Sequence, residues 1–69
     1  MSNSAENLFR ENLRKYRKAK KYTQIKLAVL AELSQDYVWQ IESGRKSPSL
    51  KTITRLAEAL GIDIKDLFS

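Results

Sequence analysis

The chain has 69 residues, enough for one domain around one small core. Thirteen Lys and Arg against eight Asp and Glu give a net charge of +5, and 42% apolar with 30% charged residues is the composition of a folded globular protein rather than a disordered one. With no cysteine and no histidine, disulfide staples, Cys/His zinc sites and Cys–His or Ser–His nucleophiles are excluded.

In chain order, Met1 to Ser4 are expected to be a frayed tail. Phe9, Leu13 and Tyr16 fall at i, i+4 and i+7, one stripe of a first helix from about Ala5 to Lys20. Thr23 can N-cap a second helix, with Tyr22 and Leu27 in the positions of a hydrophobic staple. Ser34 repeats that arrangement for a third helix, with Leu33 and Val38 as staple and Gly44 where a left-handed residue would close it. Ser49, after Pro48, caps a fourth helix whose Leu50, Ile53, Leu56, Ala57 and Leu60 line one face until Gly61. Asp63 caps a fifth, with Ile62 and Leu67 as staple and Asp66 in its first turn. Glycine and proline are scarce, two and one. The predicted fold is all-α, a compact bundle of five short helices.

Charge is concentrated between residues 10 and 21, where Arg10, Arg14, Lys15, Arg17, Lys18, Lys20 and Lys21 face a single acid, Glu11. Such a block suits a polyanionic partner (DNA, RNA or an anionic membrane) or is simply a solvated helix face. No apolar run approaches the ~18 residues needed to span a bilayer, and no signal-peptide core opens the chain. A cytoplasmic location is expected.

The second and third helices carry the functional pattern. Their link at Glu32–Leu33 is too short for antiparallel packing, so the two must cross steeply, as in a helix-turn-helix. Ala28 sits where a small side chain permits close approach, and Leu27, Ala31, Leu33, Val38 and Ile41 supply the apolar contacts that lock the angle. The third helix keeps Val38 and Ile41 inward with Tyr37 at the border. Gln35, Asp36, Trp39, Gln40 and Ser43 then face outward.

These residues resemble the Xre-type helix-turn-helix family, the lambda-repressor-like DNA-binding domains of phage and bacterial regulators. The likeness runs from about Phe9 to Phe68. It rests on Thr23-Gln24 opening the second helix, Leu27-Ala28 within it, Ile41-Glu42-x-Gly44 closing the third, Pro48-Ser49-Leu50 opening the fourth, and Leu56-Ala57-x-Ala59-Leu60-Gly61 closing it. Two departures stand out. Glu32 replaces the usual turn glycine, at up to ~1–2 kcal/mol if a left-handed residue is required there. Ile25 and Val29 occupy positions that are usually polar.

The resemblance implies that the third helix enters the major groove, with Gln35, Asp36, Trp39 and Gln40 reading base edges. A glutamine amide suits adenine, a carboxylate can accept from cytosine, and the indole can pack on a thymine methyl. It further implies that Gln24 binds a phosphate and buttresses Gln35, and that Arg45, Lys46 and nearby Lys51 contact phosphates. The helix starts at Thr23 and Ser34 offer backbone N–H groups to the same anions, and Tyr37 and Ser43 add hydroxyl donors.

One short reading helix covers few base pairs, so a homodimer on double-stranded DNA is expected, with half-sites ~34 Å apart. Ile64, Leu67 and Phe68 are the candidate dimer contacts. Ile25 and Val29 form a second candidate patch, although burial against the first helix is their expected fate. The leading reading is a sequence-specific transcriptional regulator, a homodimeric repressor on a palindromic operator. The alternative is an antitoxin or protein-interaction adaptor using Ile25, Val29 and Trp39; RNA binding through the basic helix is a third. No enzyme activity, cofactor, metal or small-molecule ligand is expected.

Overall fold

The computed structural model describes residues 4–69. It has four α-helices, α1 (Ser4–Ala19), α2 (Gln24–Ala31), α3 (Gln35–Glu42) and α4 (Leu50–Leu60), followed by a 3₁₀ helix over Ile64–Phe68. The fifth α-helix expected from the sequence is therefore this 3₁₀ piece. Its five residues are too few to offset the cost of nucleating an α ladder, and it is started by the Asp66 carboxylate accepting from the Asp63 N–H at 3.0 Å. Of the expected tail, residues 1–3 lie outside the described residues, and Ser4 is already helical.

The predicted caps at Thr23, Ser34 and Ser49 are in place, whereas Asp63, expected to cap the last helix, makes no side-chain cap hydrogen bond. Thr23 Oγ1 accepts from the Lys26 N–H (3.0 Å), Ser34 Oγ from Tyr37 (3.1 Å) and Ser49 Oγ from Thr52 (3.2 Å). All four α-helices close in the same way. A residue of positive φ follows the last turn (Lys21, Glu32, Gly44, Gly61), and the next N–H reaches back five residues to a helix carbonyl. Glu32, at φ 60° and ψ 44°, carries the left-handed strain anticipated for the turn into α3.

Leu13, Leu27, Val38, Ile41, Leu56, Leu60 and Leu67 are fully buried, with Phe9, Ala28, Ala31 and Ala57 closing the gaps between them. Around this core the elements succeed one another as α1, α3, α2, α4 and the 3₁₀ helix, which returns to α1. Buried Asn12 ties that last junction, its amide donating to the carbonyls of Leu67 (3.0 Å) and Ser69 (3.1 Å).

Three expectations are corrected here. Leu50, the first residue of α4, is 70% exposed, so the buried stripe begins at Ile53 and buried Thr52 stands beside it. Ile25 and Val29 are 56% and 67% exposed rather than covered by α1. The reason is that α2 turns Leu27, Ala28 and Ala31 toward α3 and α4, which leaves Ile25 and Val29 on its opposite side. Leu67 offers no atom to a dimer partner, because the 3₁₀ helix presses it into the core between α1 and α4.

Candidate nucleic-acid interface

α3 is two turns long, and its two faces have opposite fates. Val38, Ile41 and Glu42 are buried, while Gln35, Asp36, Trp39 and Ser43 are exposed. Gln40 and Tyr37 are half-buried, with Tyr37 packed against the core edge. The outer face thus carries amides, a carboxylate and an indole that is 43% exposed. Gln35, Asp36 and Trp39 share a cleft of about 230 Å³ with Gln24, where the start of α2 meets α3. The positive ends of both helices, set by the Thr23 and Ser34 caps, open on this side.

What holds α3 at this angle is the charge of Glu42, a residue of the Ile41-Glu42-x-Gly44 motif to which the sequence alone gave no structural role. Glu42 is 3% exposed, yet every oxygen is engaged. Arg17 grips it in bidentate fashion, Nε to Oε2 at 2.7 Å and Nη2 to Oε1 at 3.0 Å. The Gln24 amide donates to Oε1 at 3.1 Å, and Arg14 donates to the Glu42 carbonyl at 2.6 Å. Arg17 also donates to the Tyr22 carbonyl at 2.9 Å. One carboxylate therefore joins α1, the start of α2 and the end of α3. A buried ion is tolerated when its lone pairs are satisfied in this manner.

This arrangement engages one N–H of the Gln24 amide with Glu42, while Gln24 and Gln35 line the same cleft. It also divides the basic block. Arg14 and Arg17 are committed to Glu42, and Arg10 donates to Asn7 Oδ1 with its guanidinium against Gly44. Lys15, Lys18, Lys20 and Lys21 remain exposed. The signal available in the sequence was the spacing of Arg10, Arg14 and Arg17, i, i+4 and i+7, on the stripe adjoining Leu13.

Among the remaining expected phosphate contacts, Thr23 and Ser34 serve as caps with exposed side chains, and Ser43 donates to the Gln40 carbonyl at 3.2 Å. Lys46 and Lys51 are exposed. Arg45 lies over the Trp39 ring, 5.0 Å from its centroid. Of the dimer candidates other than Leu67, Ile64 is half-buried against the core, and Phe68, 39% exposed, stacks on Phe9 at 5.6 Å.

Two short helices crossing over a shared apolar contact, the second presenting a polar outer face, define the DNA-binding domain of a helix-turn-helix transcriptional regulator. Comparison with known proteins gives the same class. Residues 13–67 match the family model described as Helix-turn-helix, and the chain belongs to that family. It is 37% identical over 68 residues to the control protein C.BamHI of Bacillus amyloliquefaciens, covering 97% of this chain and 84% of that protein. It is 43% identical over 54 residues to the immunity repressor protein of Bacillus phage phi105, covering 78% of this chain but only 38% of the repressor. Among solved structures, the restriction-modification controller protein C.AhdI from Aeromonas hydrophila matches with a TM-score of 0.86 at 41% identity, over 88% of this chain and 92% of that one. No described helix is long and apolar enough to cross a membrane.

Proposed function

We propose that this protein is a cytoplasmic, homodimeric repressor that reads a two-fold operator with α3 in the major groove. The observation that carries this reading is the division of α3. Val38 and Ile41 are spent on the core, so Gln35, Asp36 and Trp39 are free to meet base edges, with half-buried Gln40 beside them. Gln35 is suited to bidentate contact with adenine N6/N7, Asp36 to cytosine N4 and Trp39 to a thymine methyl. Gln24, Thr23, Ser34, Tyr37, Ser43, Lys46 and Lys51 take phosphates around that helix. They set register and salt dependence without choosing sequence.

Similarity to an immunity repressor and to control proteins supports a regulatory role. The principal extents, 33 × 22 × 21 Å, suit two copies side by side with reading helices one DNA turn, ~34 Å, apart. Phe68 lines a groove with Phe9, Pro48 and Ile53, and that side, together with Ile64 on the same 3₁₀ helix, is the proposed two-fold contact.

The test is selection of bound duplexes from a random pool at moderate salt, followed by footprinting. A two-fold consensus bound by two copies is expected. Gln35→Ala should erase the preference at one symmetric pair of positions while leaving non-specific affinity within about twofold. A pool that returns no consensus would overturn the reading.

A further inference from the structure

The contact between Trp39 and Arg45 gives Arg45 a role different from that of a loop cation on the phosphate backbone. Its position is set by the backbone. Gly44, at φ +82°, turns the chain back on α3, and the Gln40 carbonyl then accepts from the N–H groups of Arg45 (2.9 Å) and Lys46 (3.3 Å). The guanidinium consequently lies over the indole rather than extending from the loop. Gly44 is doubly constrained there, because a Cβ would come within 3.2 Å of the Arg10 guanidinium. The turn that aims Arg45 is thus braced from α1 as well as by its own hydrogen bonds.

A guanidinium held over a ring by cation–π attraction keeps N–H donors for a further partner. A long side chain already held on a ring loses less rotamer freedom on binding than a free one. The ring beneath belongs to the outer face of α3, so the guanidinium is held beside that face. Adjacent acceptors matched to its fork of donors are guanine O6 and N7 in the major groove, or two oxygens of one phosphate.

We propose that Trp39 and Arg45 form a single specificity-determining unit, in which the indole holds the guanidinium against a guanine next to the base that Trp39 touches. This rests on the assignment of α3 as the reading helix and goes beyond it. Arg45 chooses sequence, and Trp39 acts both on its own base and through Arg45.

The experiment is the same duplex selection carried out with wild type, Arg45→Lys, Trp39→Ala, Trp39→Phe and Gln35→Ala, with salt dependence measured on the selected duplex and folding checked by circular dichroism. Wild type should require a guanine at a position distinct from the one lost in Gln35→Ala. Arg45→Lys keeps the charge, so the salt slope should hold while the guanine preference falls about tenfold. Trp39→Ala should lose that same preference although Arg45 is intact, and Trp39→Phe should keep part of it. Should Trp39→Ala fail to fold, Trp39→Phe and Arg45→Lys decide the matter by whether they weaken the same position.

A uniform loss across all sequences in Arg45→Lys, or different positions affected by the two residues, overturns the unit and leaves Arg45 as a phosphate contact. If Gln35→Ala alone changes the consensus, the reading helix stands and the unit falls. If wild type selects no consensus, both fall.

Discussion

The two ends of α3 are built on opposite principles. At the C-terminal end Glu42 is buried and held by Arg17 and Gln24, its carbonyl is held by Arg14, and Gly44 closes the helix against Arg10. At the N-terminal end Gln35 and Asp36 are exposed, and the local restraints are the Ser34 cap and the burial of Val38. Rigidity and chemistry are thereby separated along only eight residues. Orientation is determined where the helix is buried, and the side chains proposed to read sequence lie where it is not.

The largest effect belongs to the buried end. Glu42→Ala removes the acceptor of Arg17 and Gln24, and should lower unfolding free energy in urea by about 3 kcal/mol. Such a loss is a large fraction of what a core this small provides. Gly44→Ala comes next, at about 1–2 kcal/mol. The left-handed conformation disfavours a Cβ, and the Arg10 guanidinium must shift by a few tenths of an ångström. The same denaturation experiment should place Ser34→Ala at about 1 kcal/mol, the usual cost of an N-cap hydroxyl.

Gln35→Ala should move stability by no more than about 0.5 kcal/mol, because the side chain is exposed. Its effect should appear only in duplex selection. If Gln35→Ala destabilised the fold as much as Glu42→Ala, the separation between the two ends would be lost.

Much of the local structure was legible in the chain. Thr23, Ser34 and Ser49 act as caps because their hydroxyls satisfy helix-start N–H groups, a bond that depends on near neighbours alone. Gly44 and Gly61 mark helix ends for an equally local reason. The inward pair Val38 and Ile41 and the outward Gln35, Asp36 and Trp39 followed from helical periodicity. Leu50, Ile25 and Val29 were misjudged because periodicity identifies a stripe without saying how far neighbouring helices cover it. The 3₁₀ geometry of Ile64–Phe68 was missed because caps and staples look alike at the start of either kind of helix.

Glu42 shows the limit most clearly. In the sequence it is one acid near the end of an amphipathic segment, and its partners Arg17 and Gln24 lie 25 and 18 positions away. Hydrogen bonds between i and i+3 or i+4 are written into composition and spacing, so the sequence by itself determined where the helices begin, end and turn their apolar sides. Which exposed residues remain exposed, where Arg45 comes to rest and which charge is buried depend on contacts between elements distant along the chain. Those were decided only by the tertiary structure, because desolvation and ion pairing act through space.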